Sequence, residues 1–412
     1  MRILSSSNRA ALSRLLTRDA ARDPAVERQA ARIVADVRSR GDQALIEWTK
    51  RLGGPATFRL APVSKADLRA GWRATPKDVR KALRVAIDNL AAVAERQVPR
   101  PFTVTVAPGH RIEQRVVPLS RVGCYVPGGR YPLPSTLVMT AVPARAAGVP
   151  EVVVVCPRPA PVVMAAALEV GVSELWAIGG AQAIGALAYG TKRLARVDKI
   201  VGPGNAWVAA AKALVARDCP IDLHAGPSEI VVASESGDPD WIAADLIAQA
   251  EHDPAARAIL VTTKKSLAVA VAQAVAEQMP AGGPAAEAIA GNGAIVVAKG
   301  RREAIDIVNR LAPEHLVIDE DADPDAFTAA GTIFVGRWSV QAAGDYCTGS
   351  NHVLPTGGAA RVRGGLSASD FVRVYSVQTL NRSAIRAIGP AVVALAESEG
   401  LAAHAESVRK RL

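Results

Sequence analysis

The sequence predicts an α/β fold built on parallel sheets, and three observations carry that expectation. From about residue 111 onward, short β-branched runs alternate with stretches of helical period, the spacing of βαβ units with right-handed crossovers. Half of the 412 residues are apolar but only 4% are aromatic, so Ala, Val, Leu and Ile must supply the core, as in layered α/β proteins. The alternation passes twice along the chain, over roughly 119–230 and 231–340, which suits two related domains better than one very wide sheet. The full expectation is two Rossmann-like parallel-sheet domains with a helical amino-terminal segment and a helical carboxyl-terminal tail.

Each element has its own signal. Asp23 followed by Pro24 is an N-cap with proline at the first helical position; Val26, Ala30, Ile33, Val34 and Val37 then recur at helical spacing, and Gly41 stops the helix. Asp42 opens a second helix carrying Leu45, Ile46 and Trp48, and Thr75-Pro76 a third with Val79, Leu83, Ala86 and Leu90 on one face. The expected strands are Val152–Cys156, Leu175–Ile178, Ile200–Val201, Ile230–Ala233, Ile259–Thr263, Ile295–Ala298 and Thr332–Val335. The helices between them are Met164–Val170, Ala181–Tyr189, Asn205–Arg217, Trp241–Glu251, Leu267–Met279 and Arg302–Leu311. After Thr379 the chain is expected to turn helical again.

Bulk properties narrow the function. No run approaches eighteen uninterrupted apolar residues, so no membrane span is expected. Met1 to Ser7 lacks an apolar segment with a small-residue cleavage site, which makes a cytoplasmic location the default. The four cysteines (Cys124, Cys156, Cys219, Cys347) are far apart, so a metal would need nitrogen and oxygen ligands. The net charge of +10 is spread among acidic residues without a basic block interleaved with aromatics, which argues against nucleic acid as a partner.

No GxGxxG fingerprint follows a strand in the right place. Gly179-Gly180-Ala181-Gln182-Ala183-Ile184-Gly185 and Gly202-Pro203-Gly204-Asn205 instead put small residues between a strand end and a helix start. Such loops are either tight turns or places where a backbone cradles phosphate. Cys124-Tyr125-Val126-Pro127-Gly128-Gly129 adds an aromatic suited to holding a flat ring.

Histidine is scarce, with six in the chain, and four of them stand among other reactive side chains. Gln249 and His252 are three apart on a helical-period segment and share one face, as hydrogen-bonders or as ligands. With Asp345 in a Gly-rich loop and His404 in the tail, they make a carboxylate, an amide oxygen and two imidazoles, a set that suits a zinc-type ion. Glu314-His315 follows Pro313 at a helix-to-strand junction, where an adjacent carboxylate and imidazole can serve two successive proton transfers. The other reading of that pair is a polar surface loop. His110 reads as exposed, and His224 as a loop residue near the site by adjacency alone.

Together these strings, with Ala225-Gly226-Pro227-Ser228-Glu229, Gly344-Asp345-Tyr346, Asn351-His352-Val353-Leu354-Pro355-Thr356 and Glu399 to His404, resemble the histidinol dehydrogenase family in order and over most of the chain. The resemblance implies oxidation of L-histidinol to L-histidine in two NAD-dependent steps through bound L-histidinal, the final step of histidine biosynthesis. It implies one Zn2+ per subunit on Gln249, His252, Asp345 and His404, with the substrate completing the coordination. Substrate would also meet Ser228, His315, His352 and Glu399; NAD would meet Tyr125, Gln182 and Asn205. It further implies a homodimer with intertwined tails, each tail entering the partner's site. His224 departs from the pattern, a non-histidine being expected there.

On this reading His315 is the general base for the alcohol proton and Glu314 activates water for the aldehyde step. Residues 1–118 form the helical segment leading into the first α/β body, and 119–230 the Rossmann-like NAD-binding domain. Residues 231–370 form a second α/β domain carrying zinc and catalytic residues, and 371–412 a helical tail exchanged with the partner. The rival readings are a related zinc- and NAD-dependent dehydrogenase of another small alcohol, and a metal-dependent hydrolase. The glycine loops count against the hydrolase, which needs no dinucleotide bed.

Overall fold

Val152 to Val155 are consecutive, β-branched and uncharged, the composition of a strand covered on both faces, and all four are buried. The computed structural model of the chain describes residues 1–17, 23–128, 131–223 and 226–412; His224 lies outside the described residues. In chain order the strands are β1 (Arg2–Ser5), β2 (Phe102–Ala107), β3 (His110–Pro118), β4 (Arg121–Tyr125), β5 (Glu151–Val155), β6 (Glu174–Trp176) and β7 (Lys199–Val201). They continue with β8 (Glu229–Ala233), β9 (Arg257–Thr262), β10 (Ala294–Val297), β11 (His315–Ile318), β12 (Thr332–Val335) and β13 (Val372–Leu380).

Among the described residues these strands make three sheets. Four parallel strands run β6-β5-β4-β7, and six parallel strands run β1-β10-β9-β8-β11-β12. Alternate residues of one strand face different cores: Val152 and Val154 of β5 join the helices Lys77–Gln97 and Pro134–Ala146, while Val153 and Val155 join Pro24–Arg40 and Gly180–Tyr189. The second sheet does the same through Ala258 and Leu260 on one side and Ile259 and Val261 on the other. The α/β class with parallel sheets is therefore as the sequence predicts.

Four expectations need correction. The amino-terminal segment is not wholly helical: β1 pairs in parallel with β10 on the edge of the second sheet, and Leu12 and Leu15 sit in that sheet's core. The tail begins as a strand, because β13 pairs antiparallel with β3, and β3 with β2, in a third sheet. His110, read as exposed, is half-buried within it, and its buried Nδ1 has no hydrogen-bond partner. Finally, Val353, Leu366, Ala368 and Phe371 pack into the core of the four-stranded body, so a boundary at 370 cuts across side chains that pack together.

Phe371 is fully enclosed there, and its carbonyl accepts from the Leu119 amide (2.8 Å). Phe371→Ala is expected to cost about 3–5 kcal/mol through lost transfer energy and the cavity left behind. A denaturant melt reads the loss directly.

Candidate active site

The helix Arg301–Leu311 ends on Ala312, whose φ of 43° is left-handed, and Pro313 forbids a further turn. The chain is thereby redirected into β11, with Glu314 on its threshold and His315 as its first residue. Both side chains are buried. The Glu229 amide donates to Glu314 Oε2 (2.9 Å), and the Glu229 carbonyl lies 3.3 Å from His315 Nδ1. That carbonyl can only accept, so Nδ1 carries a proton and Nε2 is the nitrogen free to exchange one. Nε2 lies 3.6 Å from Asp345 Oδ1, and Nδ1 lies 3.7 Å from Glu314 Oε2.

Burial pushes the Glu314 carboxyl up to about 7, against the pull of His315 and of the Glu229 amide. For His315 burial acts downward, but the nearby carboxylates of Asp345 and Glu314 outweigh it and hold the imidazole above its ordinary value. Burial would raise Asp345; the neighbouring imidazoles of His315, His352 and His252 hold it below the usual carboxylate range. His352 is pushed down by burial, and its Nδ1 sits 2.8 Å from the Asp345 carbonyl.

Asp345 follows the short helix Gln341–Gly344. A Cβ on Gly344 would stand 2.6 Å from the Phe334 ring, so only glycine lets this turn close against β12. Buried Gln341 donates to Asp345 Oδ2 (2.9 Å), fixing the carboxylate. The short helix packs on Pro239–Ala250, which carries Gln249. Gln249 is buried, and its Oε1 has no hydrogen-bond partner. An orphaned buried acceptor costs roughly 1–3 kcal/mol and is what a ligand for a cation looks like before the cation is added. His252 lies just past the helix end, not on it as the spacing predicts; a turn from the His252 amide to the Gln249 carbonyl (3.4 Å) keeps the two side by side.

His404 and Glu399 are not brought to this cluster within one chain. Both are exposed, Glu399 at the end of the helix Arg382–Ser398 and His404 on Ala402–Arg409, and these two helices pack on each other. Among the described residues no three His, Cys, Asp or Glu side chains are grouped so as to hold a metal ion by themselves. An amide oxygen, an imidazole and a carboxylate, as on Gln249, His252 and Asp345, are donor types that a divalent ion accepts.

Strand order in the four-stranded sheet reverses between β4 and β7, and in open α/β sheets ligands bind outside the carboxyl ends of the strands at such a point. Gly202 has φ +109°, and a Cβ there would stand 2.2 Å from the Tyr125 carbonyl oxygen, so the turn needs glycine to lie this close. Tyr125 is buried, and its hydroxyl accepts from the Gly180 amide (3.0 Å); its ring belongs to the core, not to an open platform for a flat ring. Burial pushes its hydroxyl up to about 12. Gln182 is buried with an unpartnered Oε1, and exposed Asn205 caps the next helix by accepting from the Val208 amide (3.2 Å). Ser228 is half-buried between the two regions, its carbonyl accepting from the Arg257 amide (2.9 Å).

Sequence alone assigns no role to Glu229 or Gln341. Glu229 stands in the quoted Ala-Gly-Pro-Ser-Glu string, but its contacts with Glu314, His315 and the Gly357 amide (2.8 Å) all come from far along the chain. Gln341 carries no sequence signal at all.

A histidinol dehydrogenase family profile matches residues 16–412. The histidinol dehydrogenase of Bordetella parapertussis is 44% identical over 98% of this chain and 94% of its own, and that of Rhizobium meliloti is 45% identical over 92% and 90%. The crystal structure of histidinol dehydrogenase from Elizabethkingia anophelis superposes with a TM-score of 0.95 at 30% identity, covering 100% of this chain and 98% of that one. An ordered match in sequence and a near-complete match in fold agree with the buried Glu-His pair: the chain belongs to the histidinol dehydrogenase family and is an oxidoreductase.

Proposed function

We propose that the enzyme oxidises L-histidinol to L-histidine by two successive hydride transfers to NAD, through L-histidinal held in the site. The observation that carries this reading is the buried Glu314-His315 pair, with His315 Nε2 3.6 Å from Asp345 Oδ1. In the first step His315 Nε2 takes the hydroxyl proton as hydride leaves the carbinol carbon. Its affinity for that proton, held above the ordinary value, works in the direction that strengthens a base. In the second step Glu314 takes a proton from water adding to the aldehyde, and the hydrate gives up the second hydride. Its carboxyl, pushed up to about 7 by burial, is poised for that exchange.

Gln249, His252 and Asp345 would hold one zinc ion per subunit, with His404 as the further donor. That ion would orient the substrate and select its imidazole. Ser228, His352 and Glu399 would line the substrate pocket, and the crevice at Tyr125, Gln182 and Asn205 would take NAD. Because His404 and Glu399 stand away from their own chain's cluster, the reading includes a homodimer whose tails enter each other's sites. A cytoplasmic location accords with this biosynthetic role, and among the described residues no helix is long and apolar enough to cross a membrane.

The test is stoichiometric. L-Histidinol with excess NAD should yield two NADH per substrate, and a chelator should abolish turnover. One NADH per substrate, or a faster reaction with another small alcohol, would overturn the assignment.

A further inference from the structure

We infer that Lys212 and Asp222 are positioning residues of the dinucleotide crevice, a buried ion pair that fixes both backbone polar groups of Gly202 and so sets the turn to Asn205. The inference rests on the reading of that crevice as the NAD site and deepens it. The two side chains are 4% and 0% exposed. Burying two charges carries a penalty of several kcal/mol per ion, and an apolar pair of like volume is often no less stable. What such a pair holds is therefore informative.

It holds the glycine turn. Lys212 Nζ donates to the Gly202 carbonyl (2.7 Å) and to Asp222 Oδ1, while Asp222 Oδ2 accepts from the Gly202 amide (2.7 Å). Asp222 Oδ1 also accepts from the Leu223 amide (2.7 Å). Lys212 lies on the helix Ala206–Val215 that the turn opens into, so the turn is bound to its own helix. Asp222 lies on the segment beside β7, where the Ile200 amide donates to Pro220 (2.9 Å) and the Asp222 amide to Ile200 (3.2 Å). The Arg363 guanidinium donates to the Asp222 carbonyl and anchors that segment from behind. Every polar atom of the pair is thus spent on backbone, and the Gly202 carbonyl and amide point inward, away from any ligand. The Asn205 end of the turn is left as the part that faces solvent.

The test uses the zinc-loaded enzyme carrying Lys212→Met with Asp222→Asn, which removes both charges at nearly constant volume. NAD affinity by equilibrium dialysis, and KM for NAD, should weaken at least tenfold. The kcat at saturating NAD, the zinc content and L-histidinol affinity should stay within twofold of the parent. Lys212→Arg, which keeps a cation and its donors, should recover most of the NAD affinity. Asp222→Asn alone, which removes the charge and leaves one oxygen where two serve the Gly202 amide, the Leu223 amide and Lys212, should show the same selective loss. Unchanged NAD affinity in a folded variant overturns the inference. So does a parallel loss of NAD, L-histidinol and zinc, or failure of every variant to fold, either of which makes the pair a support of the whole body. An unaltered enzyme that binds no NAD would overturn the reading of the crevice instead.

Discussion

Glu314→Gln is expected to slow oxidation of L-histidinal by about 10²–10⁴-fold, the worth of one positioned proton acceptor, while oxidation of L-histidinol to the aldehyde falls much less. Glutamine keeps the volume and an oxygen that can accept the Glu229 amide (2.9 Å), so the pocket should hold its shape. What it loses is the capacity to take a proton from water. The same carboxyl sets a pH dependence. Its folded value is pushed up to about 7, and only the ionised form can act as base, so the aldehyde step should accelerate as pH rises through that value. The variant should lack that limb. Single-turnover NADH formation, started from alcohol or from aldehyde, separates the two steps; equal losses would void the division of labour between Glu314 and His315.

His404→Ala should release the metal and remove turnover, since even outer partners of metal ligands are worth about 10–100-fold in affinity. The sharper experiment mixes this variant with His315→Asn. Neither is expected to be active alone. If tails are exchanged, a mixed dimer has one site in which an intact His315 meets an intact tail from its partner, and activity returns on unfolding and refolding the two together. If each tail served its own chain, both sites in the mixed dimer would stay defective. The tail presents Leu395 (64% exposed) on the helix Arg382–Ser398 and Leu401 (42%) just before Ala402–Arg409, apolar surface of the kind that a second subunit would cover.

Much of the parallel-sheet architecture was legible because its strands are buried on both faces and so read as unbroken β-branched runs, as in β5, β8 and β9. Among the missed strands, β4 is buried like these, but Gly123 and Cys124 break its β-branched run; others are short or exposed. β1 has four residues, too few to show a period, and takes its identity from β10 far along the chain. β2 is exposed throughout, and its Phe-Thr-Val-Thr-Val alternation with Pro108-Gly109 after it was the one overlooked signal. At the site, Glu314-His315, Gln249, His252 and Asp345 could be singled out as reactive types at useful places. The partners that tune them could not: Glu229 reaches the pair across neighbouring strands, and the orphaned oxygen of Gln249 is a property of packing, invisible to spacing. The burial of the Tyr125 ring in the core is likewise a property of packing.

The parallel pairing of Arg2–Ser5 with Ala294–Val297 bears on how the chain is made. The partner of the second residue is synthesised about 290 residues later, a delay of roughly 15–60 s at ordinary translation speeds. Until then Ile3 and Leu4 trail from the ribosome with nothing to dock on. The Arg2–Ser5 segment thus waits through most of this sequence for the strand that gives it a place.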